Sequence, residues 1–283
     1  MRPKNLKTKI YLDSGDPTET KAAIDRLGFL DGQTTNPSLI AKNPDASDKK
    51  FSEQEVYDFY KHVVQEISGL IPDRSVSIEV YAEKKTPARK MVKQAQAMYE
   101  WIPNAHIKLP ITAGGLEAAQ RLTEDKIRVN MTLCFTQQQA AAVYAATRGA
   151  QRSDVYVSPF DGRLDDLGEC GVCLIEDIMK MFSQGDGHVE TLMASVRNID
   201  HLLYAIYTGV DIITVPFKVL KEWGDAGMPV PKELGNLDTL RGLKKIEYQE
   251  LDLTQDWKAF DISHPLTDKG LVKFAADWNN LIK

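Results

Sequence analysis

Residues 75–110 read SVSIEVYAEKKTPARKMVKQAQAMYEWIPNAHIKLP: a β-branched apolar run, a charged amphipathic stretch, then a second apolar run. The reading is strand (75–82), helix (86–100), strand (106–110). Parallel neighbours need a long crossover, and a helix of this length supplies it, so the segment is a βαβ unit. The same alternation continues in both directions. Upstream lie strand runs 9–14 (KIYLDS) and 32–36 (GQTTN), with helical patterns at 17–27 and 53–68. Asp16-Pro17 fits a helix N-cap followed by proline at the first helical position. Downstream, strands are expected at 127–133, 154–160, 189–196 and 212–217, separated by helices at 115–124, 136–147, 172–184 and 198–208.

About eight strands, each followed by a helix, is the count of a (β/α)8 TIM-type barrel. The 283 residues suit such a barrel of about 250 residues with insertions. No Pro/Gly/Ser-rich linker divides the middle of the chain, which speaks against two doubly wound domains. The expectation is an α/β chain with one barrel domain over 1–283. The polar stretch 221–263, which carries GMPVPKELG, reads as an insertion after the eighth strand, leading into a C-terminal helix at about 266–281.

Hydrophobic residues at 43% and charged residues at 27% allow a large core and argue against disorder. No apolar run of about 18 residues is present, so no membrane span is expected. The basic N-terminus has no apolar stretch behind it, which points to the cytoplasm. The net charge of −5 is spread among interspersed signs, without a basic stripe for nucleic acid. Three cysteines are too few for a disulfide framework. Cys170 and Cys173 form one CxxC, which could be a redox pair or half a zinc site; the five histidines offer no paired metal spacing, and packing residues at a helix start are the favoured reading. No metal site is expected from these residues.

Barrel active sites lie at the C-terminal strand ends. Those ends here carry Asp13, Thr35, Asn36, Glu79, Lys108, Asn130, Thr132, Ser158 with Arg163, and Ser195 with Arg197. Polar groups in apolar strands cost free energy unless partnered, so one at nearly every strand end marks a polar pocket. A solvated lysine is almost fully protonated at neutral pH, whereas burial and a nearby cation favour the nucleophilic amine. From the residues alone, Lys108 is either a lysine snorkelling to the rim or such a nucleophile. Asp13 and Glu79 converge from different strands and suit two proton transfers. Arg163 and Arg197 suit bidentate binding of an anion, or else form a solvated rim.

Six motifs then carry a resemblance. The run from Asp31 to Ile40, with its TTNPS, resembles the transaldolase signature. IKLPIT (107–112) followed by Gly115-Leu116 looks like the segment bearing that family's Schiff-base lysine. VNMTLCFT (129–136), VSPFDGRLDD (157–166), ASVRN (194–198) and HPLTDKG (264–270) match in family order. The resemblance implies a class I aldolase-type barrel that moves a dihydroxyacetone unit from a ketose phosphate to an aldose phosphate without a cofactor. Sedoheptulose 7-phosphate and glyceraldehyde 3-phosphate would give erythrose 4-phosphate and fructose 6-phosphate, in the non-oxidative pentose phosphate pathway.

Residue roles follow by resemblance. Lys108 would form the imine, and Asp13 would take the proton from the C4 hydroxyl. Glu79 would shuttle protons through a water held by Thr132. Thr35, Asn36, Asn130 and Ser158 would bind the three-carbon unit, and Arg163, Ser195 and Arg197 the phosphate. Phe160 and Glu79 favour transfer, because fructose-6-phosphate aldolases of the superfamily carry Tyr and Gln at those positions. Rival readings are that aldolase activity, a transaldolase of a sulfonated ketose, and a non-catalytic sugar-phosphate-binding barrel. Two departures stand out: Ser14 for a usual Thr, and Asp161 where an apolar residue is usual. Asp161 is expected to weaken anion binding or tune Arg163. Small family members assemble as decamers, so a homo-oligomer is possible, with the 221–263 insertion bearing on its size.

Overall fold

The strand runs are apolar on both faces, a pattern that parallel strands adopt when helices cover one side and a closed interior fills the other. The computed structural model, which describes residues 1–47, 49–234 and 242–283, has that arrangement. Eight parallel strands close into a barrel in sequence order: β1 (Lys9–Asp13), β2 (Gly32–Thr34), β3 (Ser75–Glu79), β4 (Ala105–Pro110), β5 (Val129–Cys134), β6 (Val155–Pro159), β7 (Val189–Met193) and β8 (Ile212–Val215). β8 returns to β1 with Lys9 opposite Ile212 and Leu12 opposite Val215. The fold is thus the TIM barrel expected from the strand count.

The outer ring is α1 (Pro17–Leu27), α2 (Pro37–Ala41), α3 (Glu53–Leu70), α4 (Ala88–Tyr99), α5 (Ala113–Glu124), α6 (Gln137–Ala146), α7 (Asp161–Asp165), α8 (Gly171–Phe182), α9 (Ile199–Thr208) and α10 (Phe217–Asp225), with α11 (Pro265–Asn279) after it. Short polar side chains set several starts. Asp16 accepts from Thr18 N, Ser52 and Glu55 form a reciprocal capping box, and Thr112, Thr136 and Asn198 cap α5, α6 and α9. The short helices α2 and α7 lie in loops that the sequence reading left unassigned. α10 takes up the first five residues of the 221–263 stretch, so the irregular part begins later. Between 226 and 263, the described residues hold one short 3-10 turn, Trp257–Ala259. Residues 235–241 of that stretch lie outside the described residues.

Two features shape the barrel mouth. The β5–β6 register shifts between Met131 and Cys134, and Leu133 takes φ +62°. Thr267 on α11 donates its hydroxyl to the Leu133 carbonyl at 2.9 Å, tying α11 to the irregular strand end. Gly270 permits the approach, since a Cβ there would stand 2.9 Å from an Arg163 guanidinium nitrogen. α11 also packs on α2, and Phe51 N donates to Leu281 O at 2.8 Å.

The cysteine reading is corrected: Cys170 and Cys173 form a disulfide. They are the N-cap of α8 and its third residue, with Cα atoms 5.3 Å apart, within bridging range. Cys134 is free and buried. Among the described residues, no helix is long and apolar enough to cross a membrane.

Candidate active site at the C-terminal strand ends

Neighbouring parallel strands set register partners side by side, and this places the polar residues in a row. Glu79 on β3 is opposite Lys108 on β4, and Lys108 is opposite Asn130 on β5. Lys108 Nζ lies 3.2 Å from Glu79 Oε2, with each side chain only 4% exposed. The lysine is therefore inside the barrel, not snorkelling to its rim. Burial pushes the Glu79 carboxyl up to about 7, against the opposing pull of the Lys108 charge. Thr132 Oγ1, two residues beyond Asn130, is buried with no hydrogen-bond partner among the described residues.

Asp13 lines the same cavity as Lys108. Thr34 donates to Asp13 Oδ1 at 2.7 Å and lies 2.6 Å from the Thr214 hydroxyl, which serves as donor to it. Burial raises the Asp13 pKa, while Lys108 and the Thr34 hydrogen bond pull it down. Two carboxyls thus act on one amine, each shifted upward by burial and pulled back by Lys108, the kind of grouping that proton transfer uses. Ser158 donates to Asn130 Oδ1 at 2.6 Å, and Asn130 donates to Ser77 Oγ at 3.0 Å. This chain fixes both side chains beside the amine.

Asp13, Thr34, Asn36, Lys108, Ser158, Phe160, Arg163, Ser195, Arg197 and Thr214 line a common cavity of about 350 Å³. Lys42, Lys273 and Phe274 also border it. A larger space of about 1050 Å³ is an outer groove between the starts of α4 and α5 and residues 257–262. It lacks the buried amine and its carboxyls, so the smaller cavity is the candidate site. Asn36 does double duty, because its side-chain oxygen also caps α2 by accepting from Leu39 N at 2.9 Å.

The anion-binding candidates differ from each other. Arg163 sits between aromatic rings, 4.9 Å from the Phe160 centroid and 5.6 Å from that of Phe274. It makes no ion pair among the described residues, and burial lowers its pKa, with Arg197 adding to the effect. Arg197 is half-exposed and pairs with Asp166 at 2.7 Å. Ser195 holds φ +69°, which turns the chain between β7 and α9 so that residues 195–197 border the cavity.

Not every expected residue lines the cavity: Thr35, Glu79, Asn130 and Thr132 are absent from its wall. Thr35 turns away from the cavity, bonding the Tyr60 hydroxyl at 2.6 Å and the Ser77 carbonyl at 2.7 Å. Its role there is to hold β2 and β3 to α3, since Tyr60 also accepts from Glu79 N at 2.9 Å. Asp161 is fully buried and pairs with His201 at 2.7 Å, so its charge is neutralised away from the cavity. Thr34 and Thr214 were missed. Period-two alternation carried the signal for Thr34, which shares a strand face with Asn36 and not with Thr35.

Comparisons with known proteins agree with this geometry. Residues 10–283 match the family model described as Transaldolase/Fructose-6-phosphate aldolase. A probable transaldolase of Dehalococcoides mccartyi is 35% identical over 97% of this chain and 100% of its own length. Probable transaldolases of Thermoplasma volcanium (35%; 96% of each chain) and Methanococcus maripaludis (36%; 95% of this chain and 97% of the relative) are similar over nearly as much. With a matching barrel, a buried strand lysine and a family match over almost its whole length, the chain belongs to the transaldolase/fructose-6-phosphate aldolase family.

Proposed function

We propose that this enzyme is a transaldolase that carries dihydroxyacetone on Lys108 between sugar phosphates. The donor is sedoheptulose 7-phosphate or fructose 6-phosphate, and the acceptor is glyceraldehyde 3-phosphate or erythrose 4-phosphate. The observation that carries the reading is the buried Lys108–Glu79 pair, with Lys108 bordering a cavity that is also lined by Arg163 and Arg197. Glu79, near neutrality in its titration, takes the proton that keeps Lys108 from attacking. The amine adds to the ketose carbonyl, and loss of water gives the imine. Thr132, with its unpartnered hydroxyl, and Glu79 guide that water. Asp13 removes the C4 hydroxyl proton, the C3–C4 bond breaks toward the imine, and an aldose phosphate leaves an enamine behind. The acceptor aldehyde then takes the enamine carbon and the proton from Asp13, and hydrolysis frees the new ketose and Lys108.

Asn36, Asn130 and Ser158 hold the hydroxyls of the three-carbon unit, and Arg163, Ser195 and Arg197 hold the phosphate. The substrates are small, and a cytoplasmic location belongs to the same reading. Release of free dihydroxyacetone, the aldolase alternative, is disfavoured by Phe160. Its ring borders the cavity and offers no hydroxyl to protonate the enamine. The test is borohydride reduction with fructose 6-phosphate, followed by peptide mass mapping. One dihydroxyacetone-derived adduct on Lys108 is expected, and an adduct on another lysine, or none, overturns the Schiff-base assignment.

A further inference from the structure

α7 is only five residues long, yet it carries Arg163 at its centre and carboxylates at both ends. Both carboxylates face one imidazole on α9. Asp161 Oδ2 lies 2.7 Å from His201 Nδ1, and Asp165 Oδ2 lies 3.0 Å from His201 Nε2. The three side chains are 0%, 14% and 2% exposed, so water screens them little. Burial alone would push the imidazole down in pKa, but the two carboxylates outweigh it and hold His201 at about 9. The Arg197 backbone N–H also points at His201 Nδ1, at 3.4 Å, so the ring touches both carboxylates of α7 and the residue after Val196.

The three residues tie together the two segments that supply the anion site. His201 sits four residues after Arg197, and its backbone N–H is capped by Asn198 at 3.1 Å. Gly162, between Asp161 and Arg163, lies directly against the Ser195 carbonyl and the Arg197 side chain, where any Cβ would collide. Asp165 uses its other oxygen to accept from Gly171 N at 2.9 Å, which anchors the end of α7 to α8. Asp161 N donates to Ala194 O at 3.1 Å. The Gly162 approach and the Asp161–Ala194 bond fix α7 relative to the loop after β7.

We propose that Asp161, His201 and Asp165 form a charged clasp that sets the spacing of Arg163 and Arg197, making Asp161 and His201 positioning residues for the anion end of the substrate. A five-residue helix has little cooperative stability of its own. Without the clasp α7 can rotate or slide, and the two guanidinium groups lose their common target. The inference rests on the reading of Arg163 and Arg197 as the anion site.

The test measures binding of inorganic phosphate to the whole enzyme by calorimetry, together with KM and kcat for glyceraldehyde 3-phosphate. The variants are Asp161→Asn, Asp161→Val, His201→Gln and, as control, Arg163→Ala. Misplacement of a binding pair by a fraction of an ångström to an ångström costs about 10- to 100-fold. Asp161→Asn and His201→Gln should each weaken phosphate at least about 10-fold and raise KM by a similar factor, with kcat changing about 3-fold or less. Asp161→Val, which removes the carboxylate and puts an apolar side chain at this buried position, should show the same split if Asp161→Asn folds poorly. Loss of kcat with unaltered KM, or phosphate affinity unaltered in all three, overturns the clasp when Arg163→Ala still weakens binding. If Arg163→Ala also leaves phosphate binding intact, the anion-site reading itself fails.

Discussion

Lys108 Nζ and Glu79 Oε2 stand 3.2 Å apart on neighbouring strands, and the β3–β4 register makes them direct partners. A barrel core seldom accepts such a pair, since burying two charges costs several kcal/mol per ion before their attraction is counted. Placing them there makes sense when the proton between them must move. A lysine kept beside a carboxyl that titrates at about 7 can be relieved of its proton without help from solvent.

Replacing Lys108 by Met keeps much of the stem's volume and removes the amine. Turnover should fall by about 10⁴ or more, as for loss of a covalent nucleophile. Borohydride should trap nothing on the variant. Residual activity within about 100-fold of wild type would place the chemistry on another residue.

The Glu79 carboxyl should give the pH profile its acidic limb. Its pKa is raised from 4.5 to about 7, so the ionised form that accepts a proton is lost as pH falls through about 7. The rate of imine formation at limiting donor should be half-maximal near pH 7 and drop about tenfold per pH unit below it. Glu79→Gln should lower the rate and flatten this limb. A limb that persists in the variant assigns it to another group, such as Asp13.

The arginines should separate by environment. Arg163 is largely shielded and makes no competing ion pair among the described residues, so its charge-assisted bond to phosphate should contribute about 1.5–3 kcal/mol. Arg163→Ala should then cut kcat/KM for a phosphorylated acceptor about 10- to 150-fold. Arg197 is half-exposed and shared with Asp166, and its replacement by Ala should cost less. Steady-state kinetics with glyceraldehyde 3-phosphate against unphosphorylated glyceraldehyde provide the check. Equal losses for both acceptors would show that these side chains serve the fold.

Phe160→Tyr adds a hydroxyl at nearly constant ring volume, in a residue 6% exposed beside the amine. That hydroxyl can hold a water and pass a proton to the enamine. Free dihydroxyacetone from fructose 6-phosphate should rise, and acceptor-dependent transfer should fall. Measuring the free ketone with and without acceptor decides the point. Wild type releasing it as fast as it transfers would make the enzyme an aldolase.

The barrel was legible because its signals are local and repeated: alternating strand and helix patterns, with a cap such as Asp16 ahead of the first helix. The site was legible in outline, since a polar residue ending an apolar strand has few other uses. Which way each side chain points was harder. Thr34 and Thr35 are adjacent and identical in chemistry, yet one supports Asp13 and the other braces Tyr60. Strand alternation tells them apart only after the inward face is known. The Asp161–His201 pair joins residues 40 apart in sequence, and no periodicity links them. The five-residue helices α2 and α7 complete too few turns to leave a pattern. The disulfide was missed because cysteine spacing alone does not distinguish a bond from packing.

The C-terminal helix has a kinetic consequence. Phe274 covers Arg163 from 111 residues away, and Thr267 grips the Leu133 carbonyl from 134 residues away. Contacts so distant along the chain carry a loop-closure cost that local helices and strand pairs do not. Lys108 and Glu79, on strands adjacent in sequence, can therefore meet before the last helix docks. During refolding, recovery of helical signal should precede recovery of activity toward phosphorylated sugars, which makes catalysis a reporter of when the last helix docks.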